Sequence, residues 1–403
     1  MTTALLFPAS ATPDARRLDA ARALRGFADG LVSVLLASHL AALGLSATQV
    51  GAIVTATLLG SAALTLAVGL AGLRIPERCV LLAASLLMFA TGLAFAGVST
   101  FPLLLLVAFV GTLNPSGGDV SVFLPTEQSL LAANVDAADR TALLARYNLA
   151  GTLLGALGAL ATGVPLLVAP EGSPQPRPFL LYGTVAIGIA ALYLGLRSGR
   201  TARAADGGSG RLVEARSAVL RLTALFSLDS FGGGFVVDSL VALWLFRRFD
   251  LSLEAAGAVF FAARLLSAFS QLVSPWLAAR IGLVRTMVYT HLPANLFLIA
   301  AAFMPTAGSA IGMLLARMAL SQMDVPARQS YVIAVTPPAE RAAAVSLTNV
   351  PRSLASALSP MAAGALLEYS DFGWPLVIGG ALKILYDLLL LSQFRSVVPD
   401  ENR

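Results

Sequence analysis

The sequence predicts an all-α integral membrane protein with 12 transmembrane helices in two pseudo-symmetric six-helix bundles. Long apolar segments recur along the 403 residues, of which 57% are hydrophobic and 12% charged, and the mean hydropathy is +0.80. A soluble chain of this length carries far more charge, so a bilayer must supply most of the solvent. The second six segments also repeat the first six. Pro125, Gln128, Ser129, Arg140, Asn148 and Gly163 return 201 positions later as Pro326, Gln329, Ser330, Arg341, Asn349 and Gly364. A fainter echo links Phe27 and Gly30 to Phe231 and Gly234, and Leu45, Ser46, Gly51 and Ser61 to Leu251, Ser252, Gly257 and Ser267. Symmetry of this kind leads us to expect a binding site between the halves, near mid-membrane.

Each element follows from the need for about 20 apolar residues to cross about 30 Å of hydrocarbon. Residues 1–22 mix Arg16, Arg17 and Arg22 with Asp14 and Asp19 and lack a long apolar core. They read as a cytoplasmic tail rather than a cleaved signal. The first bundle, 23–197, is expected to hold helices at 23–43, 48–71, 79–98, 102–132, 140–167 and 178–197. Within the fourth, Asn114-Pro115-Ser116-Gly117-Gly118 removes a backbone donor and bends the helix. The carbonyls so freed need protein or a water-filled cavity. In the fifth, Gly151, Gly155 and Gly158 suit close helix packing. Residues 198–217, with Gly207-Gly208-Ser209-Gly210, read as a flexible cytoplasmic linker. The second bundle, 218–394, is expected to hold helices at 218–246, 252–278, 284–304, 307–334, 340–367 and 373–394, followed by a cytoplasmic tail at 395–403. Trp244 and Trp374 suit the interfacial aromatic belt.

The net charge of +5 is explained by topology rather than by nucleic acid. With the N-terminus in the cytoplasm, only Arg177, Arg247 and Arg248 of the 27 basic residues fall outside. Arg146, Arg264, Arg317, Arg328, Arg352 and Lys383 lie within helices, and the rest are cytoplasmic. The positive-inside rule therefore predicts that both termini are cytoplasmic, and the expected location is the inner membrane. Cys79 is the only cysteine, and the only histidines are His39 and His291, so no metal or cofactor is expected. The single lysine, Lys383, sits in an apolar run, which excludes a P-loop. Gly232-Gly233-Gly234 lies inside a helix, not after a strand. With no nucleophile–base arrangement in recognisable context, an enzyme is not expected.

Two six-helix halves, a basic central linker and short basic loops after helices 2 and 8 resemble the major facilitator superfamily of secondary transporters. Leu277-Ala278-Ala279-Arg280-Ile281-Gly282-Leu283-Val284-Arg285 is similar to the second copy of that family's loop signature, with Ala279 in place of the acid. The first copy, Gly72-Leu73-Arg74-Ile75-Pro76-Glu77-Arg78, lacks the aspartate and the second glycine. Exporters of the superfamily often carry a glycine-rich motif ending in G-P-x-x-G-G on helix 5. Here Gly158 to Gly163 lacks the proline, while its repeat Ser359-Pro360-Met361-Ala362-Ala363-Gly364 retains it, which tilts the resemblance toward export.

An ionisable group at bilayer depth costs about 2.5–3.5 kcal/mol on insertion scales, so each needs a partner, a cavity or a function. Glu127 and Arg146 lie equally far along the chain from the turn joining helices 4 and 5, about 10–15 Å above it at 1.5 Å per residue, and are expected to pair. Asp324 and Arg352 are expected to pair likewise about Pro338, and Asp238 with Arg264 about the loop between helices 7 and 8. Lys383 and Asp387 look like a local i,i+4 pair, and His39 and His291 like interfacial or packing residues. Arg328 occupies the repeat position of Glu127. Protonating such a carboxylate would weaken its hold on arginine, a route to proton coupling. The resemblance implies that Asp29, Asp119, Asp229 and Asp238 stand on cavity-lining helices. With Glu127, Arg146, Arg264, Asp324, Arg328, Arg352 and the repeated Asn148 and Asn349, they complete the candidate residues for substrate binding or coupling.

The function these residues point to is secondary active transport of a small solute by alternating access, coupled to H+, in the direction of export, by a monomer. The embedded basic residues favour a small anion. The alternatives are efflux of hydrophobic or cationic drugs, met by Asp29, Asp229 or Asp238, and a membrane sensor that binds ligand without turnover.

Overall fold

The computed structural model describes residues 11–71, 75–116, 121–136, 139–164, 170, 173–197, 216–337 and 340–394. Asp119, residues 198–215 of the expected linker, the tail 395–403, and Gly72, Leu73 and Arg74 of the first loop signature lie outside the described residues. Every regular element described is helical. In order they are α1 (Pro13–Ala42), α2 (Ala47–Ala71), α3 (Glu77–Gly97), α4 (Phe101–Val110), α5 (Phe123–Ala133), α6 (Arg140–Leu160), α7 (Pro176–Leu194) and α8 (Arg216–Gly234). There follow α9 (Asp238–Phe249), α10 (Leu253–Ile281), α11 (Leu283–Phe303), α12 (Ala307–Ser321), α13 (Asp324–Ala334), α14 (Arg341–Tyr369) and α15 (Trp374–Phe394). Among the described residues, nine stretches are long and apolar enough to cross a membrane. The other three expected spans fall short of that measure. Two are interrupted, as α4 with α5 and α12 with α13, and α14 carries Arg341, Asn349, Arg352 and Glu368.

The first helix begins at Pro13 rather than at residue 23, so the expected tail is partly helix. Thr12 caps it, its hydroxyl accepting from the Ala15 amide (3.3 Å), and a proline at the first position has no intrahelical bond to lose. The charges that read as a solvated tail are engaged. Asp14 pairs with Arg17 (2.6 Å) and accepts from the Arg197 amide (3.0 Å).

Three expected continuous helices are each split in two. Helix 102–132 breaks into α4 and α5, and the interval uses protein partners as a bilayer demands. Tyr182 donates to the Thr112 carbonyl (2.9 Å), the Thr112 amide donates to the Thr91 hydroxyl (3.3 Å), and Asn114 accepts from the Ser116 hydroxyl (2.9 Å). Helix 218–246 breaks between Gly234 and Asp238, and helix 307–334 between Ser321 and Asp324. Both later breaks open a new helix with an aspartate in its first turn, where the helix dipole favours a carboxylate.

The contacts group into two compact units, Met1–Arg203 with Ser252–Phe261, and Ala204–Leu251 with Ala262–Arg403. The first turns of α10 thus belong with the first unit, where the Thr162 hydroxyl lies 3.2 Å from the Leu253 carbonyl. Within the first unit α1 packs on α6 and α7, and α3 on α7. Within the second, α8 packs on α14 and α15, and α11 on α15. These are the same contacts carried over by the repeat, so the symmetry read from sequence extends to packing.

Small residues let α1 and α6 approach closely. A Cβ added at Gly26 or Gly30 would overlap the carbonyls of Gly151 and Gly155, backbone that cannot swing aside. At the repeat positions in the second unit, Ser230 meets Arg352 and Gly234 meets Ser356. Gly30→Val is therefore expected to force α1 off α6. The overpacking costs at least about 1–3 kcal/mol, and a lowered detergent-extracted Tm is the measurement that checks it. Trp244 corrects an expectation: it is wholly buried, against Gly373 and Phe249, while Trp374 is exposed. The amphipathic α9 turns Trp244 inward and leaves Arg247 and Arg248 outside.

Candidate functional site

Among the described residues, each unit holds a buried ion network. In the first unit, Glu127 on α5 is fully enclosed, with 0% exposure, and Arg25 on α1 is 2% exposed. Arg25 Nη2 donates to Glu127 Oε2 (2.5 Å). Tyr147 on α6 donates to the same oxygen, and Tyr193 on α7 donates to Oε1 (2.5 Å). The guanidinium lies over the Phe123 ring, 4.5 Å from its centroid. Four helices thus meet on one carboxylate, and three donors satisfy both its oxygens. A buried pair this complete repays its desolvation through geometry and hydrogen bonds.

The second unit's network is larger. Asp229 on α8 receives Lys383 Nζ of α15 at Oδ1 (2.7 Å) and Arg328 of α13 at Oδ2 (3.3 Å). Arg328 also reaches Asp324, one turn before it (3.2 Å). His291 on α11 stands between two carboxylates, with Nδ1 2.9 Å from Asp387 Oδ1 and Nε2 3.7 Å from Asp229 Oδ1. Asn295, one turn along α11, donates Nδ2 to Asp387 Oδ2 (3.3 Å). Arg352 of α14 donates Nε to the Ser230 hydroxyl (2.8 Å) and lies in electrostatic range of Arg328, Asp229 and Asp324. Toward the α8/α9 break, Asp238 pairs with Arg264 (2.7 Å), and Arg317 of α12 lies in electrostatic range of Asp238. One flank of the network is apolar: Phe226, Met287, Tyr331, Tyr386 and Leu390 belong to the core of this unit.

One pair recurs at matching repeat positions within each network. The offset of α1 to α8, set by Phe27 with Phe231, carries Arg25 onto Asp229, and the offset of α5 to α13 carries Glu127 onto Arg328. The pair Arg25–Glu127 therefore reappears as Asp229–Arg328 with the charges exchanged.

The sequence profile described as Major Facilitator Superfamily matches residues 18–323. The chain belongs to that superfamily. A curated relative, the uncharacterized membrane protein YJR124C of Saccharomyces cerevisiae, is 25% identical over 429 residues, covering 96% of this chain and 95% of its own. Among solved structures, the nucleoside transporter NupG superposes with a TM-score of 0.75 at 12% identity, covering 96% of this chain and 100% of NupG. The inward-open xylose transporter XylE from E. coli gives 0.75 at 13%, covering 96% and 98%. A bacterial homologue of the human lysosomal transporter Spinster gives 0.73 at 14%, covering 96% of each chain. The fold is that of a secondary transporter of small-molecule solutes embedded in a membrane, and family and fold point to a transporter rather than an enzyme.

In this superfamily member, several expected pairings are redrawn. Glu127 pairs with Arg25, not with Arg146, because successive helical residues point about 100° apart and Tyr147 takes the face toward Glu127. Arg146 lies instead in electrostatic range of Asp19. Arg25, counted with the cytoplasmic residues, is a buried half of that pair. Asp324 pairs with Arg328 on its own helix rather than with Arg352, since the new helix start at Asp324 stacks the two one turn apart. Lys383 and Asp387 do not meet each other. Lys383 reaches Asp229 and Asp387 turns to His291, which is therefore more than a packing residue. The expected pair Asp238–Arg264 is present.

Of the remaining candidates, Asp29 is buried on α1, Asn148 is half-buried on α6, and Asn349 is exposed on α14. His39 is a buried packing residue, its Nδ1 accepting from the Gln175 amide (2.8 Å) against the Phe179 ring. Arg25, Tyr147, Tyr193, Ser230 and Asn295 were not singled out from sequence. A usable signal existed for one group: His291 with Asn295 and Lys383 with Asp387 are i,i+4 polar pairs, each presenting one face.

Proposed function

We propose that the chain carries a small anionic solute across the inner membrane by alternating access, coupled to protons, as a monomer with both termini cytoplasmic. The charge balance of the second unit's network carries this reading. Among the described residues, the carboxylates of Asp229, Asp238, Asp324 and Asp387 are each held by a basic group. Against these four stand five fixed cations, Arg264, Arg317, Arg328, Arg352 and Lys383. Among the described residues, the hydrogen bond of Arg352 goes to the Ser230 hydroxyl (2.8 Å) and that of Arg317 to the Met318 sulfur (3.2 Å), with carboxylates in electrostatic range of both but in contact with other cations. Arg352 and Arg328 are like-charged neighbours, and a carboxylate, phosphate or sulfate bridging their planar forks would relieve that repulsion. A lipophilic cation would instead have to displace a basic group from one of the four carboxylates, so the network does not favour drug efflux.

The glycine-rich motif retained at Ser359 to Gly364 favours export. The charge balance favours the opposite sense. Each proton bound adds positive charge beside the guanidinium groups, so proton and anion raise each other's affinity and travel together. An inward proton gradient then drives uptake, and we adopt this direction because it rests on side-chain contacts.

The test is counterflow of radiolabelled succinate, citrate, inorganic phosphate and sulfate in proteoliposomes, beside a nucleoside, xylose and tetraphenylphosphonium. At least one anion exchanges in wild type, and Arg352→Ala slows that exchange by about 10- to 100-fold, as expected for losing a charge-assisted hydrogen bond. Exchange of the neutral or cationic probes alone overturns the anion reading. Saturable anion binding without exchange would make the chain a sensor.

A further inference from the structure

Beyond anion transport itself, and resting on that reading, we infer that His291 is the proton-carrying residue of the transport cycle. Among the described residues of the network it is the side chain titrating near neutral pH that stands between two carboxylates, with Nδ1 on Asp387 (2.9 Å) and Nε2 toward Asp229 (3.7 Å). An imidazole donates from both nitrogens only when protonated. The neutral ring keeps one donor, Nδ1–H on Asp387, so the proton that comes and goes is the one on Nε2, facing Asp229. Asn295 Nδ2 donates to the other oxygen of Asp387 (3.3 Å), which keeps that carboxylate in place as the acceptor for Nδ1–H in both states. The Nδ1–H contact with Asp387 thus anchors the ring in both protonation states, and only Nε2 changes between donor and acceptor.

The surroundings decide what the proton does to the anion. From α15, His291 faces Asp387 and Lys383, and from α8 it faces Asp229. From α13 come Arg328 and Asp324, linked to Asp229 and to each other. Arg352 on α14 and Arg317 on α12 complete the charged set through Asp229 and Asp324. Protonated His291 and Lys383 address the same oxygen, Asp229 Oδ1. Protonation therefore supplies Asp229 with a second partner and relaxes its hold on Lys383 and on Arg328 at the other oxygen. The freed positive charge lies beside Arg352, where the anion is bound under the reading above. Release of the proton reverses this, and Asp229 reclaims its cations as the anion leaves. The proton enters and departs with the anion, one for one.

Two measurements test this. In wild-type proteoliposomes loaded with a pH dye, an inward gradient of whichever of succinate, citrate, phosphate or sulfate exchanges should acidify the lumen. In His291→Gln anion exchange should be weakened, acidification should be lost from whatever exchange remains, and the pH dependence of that exchange should become flat. Retained proton movement in His291→Gln overturns the assignment but leaves anion transport standing. If none of the four anions exchanges in wild type, the anion reading falls, and this inference with it. Should His291→Gln fail to fold, the wild type alone decides. Affinity for the exchanging anion in detergent, measured at constant concentration of one ionic form, must rise as pH falls, by up to about tenfold per pH unit for one linked proton. A flat or opposite dependence refutes the coupling.

Discussion

Glu127→Ala is expected to destabilise the first unit by about 3–5 kcal/mol, because it leaves the Arg25 guanidinium as an uncompensated charge in the interior. The phenol groups of Tyr147 and Tyr193, which now donate to Glu127, would lose their acceptor in the same stroke. The expected readout is loss of monodisperse protein after extraction, or a large fall in Tm. Glu127→Gln, which keeps shape but not charge, should behave nearly as badly. The double variant Arg25→Met with Glu127→Leu removes both charges and should recover much of the loss, since apolar replacement of a whole buried pair is often neutral. A strong favourable coupling in that double-mutant cycle would show a structural clamp. If Glu127→Gln folded normally and lost only proton coupling, this assignment would be wrong.

Asp229→Ala is the second large effect. That carboxylate holds Lys383 and Arg328 and faces His291, so its removal leaves like charges facing each other with too little to neutralise them. We expect no measurable anion exchange and a Tm drop as large as that of Glu127→Ala. Asp229→Asn combined with Lys383→Met removes one charge of each sign, leaving Arg328–Asp324 and His291–Asp387 in place. It should restore folding and return anion counterflow to within several-fold of wild type. A double variant no better than the single one would mean that Asp229 acts on the solute or proton directly, not by holding Lys383.

The contrast between the two networks explains how far the sequence could be read. Segment positions, the repeat and the break near Pro115 follow from hydropathy, recurrence and proline placement, which are local properties, whereas the breaks at Gly234–Asp238 and Ser321–Asp324 fell inside segments that read as continuous. Asp238 with Arg264 was legible because the two flank a single short loop. Glu127 was not, since equal distance from a turn fixes depth along a helix but not the direction a side chain points around it. Arg146 and Tyr147 are neighbours in sequence, and only Tyr147 faces Glu127. The true partner, Arg25, comes from α1, and which helices pack together is set by small-residue contacts such as Gly30 on Gly155. One long-range signal was present but unread: the two offsets of the repeat carry the pair Arg25 and Glu127 onto Asp229 and Arg328, opposite charges in both halves.

The most direct test of the account is the pH inside proteoliposomes of the wild-type protein when a solute gradient is imposed without a membrane potential. The account predicts that an inward gradient of succinate, citrate, phosphate or sulfate acidifies the lumen, while a nucleoside, xylose or tetraphenylphosphonium leaves it unchanged. Alkalinisation driven by inward tetraphenylphosphonium, with no response to any of the anions, would contradict it and point to exchange of cations for protons.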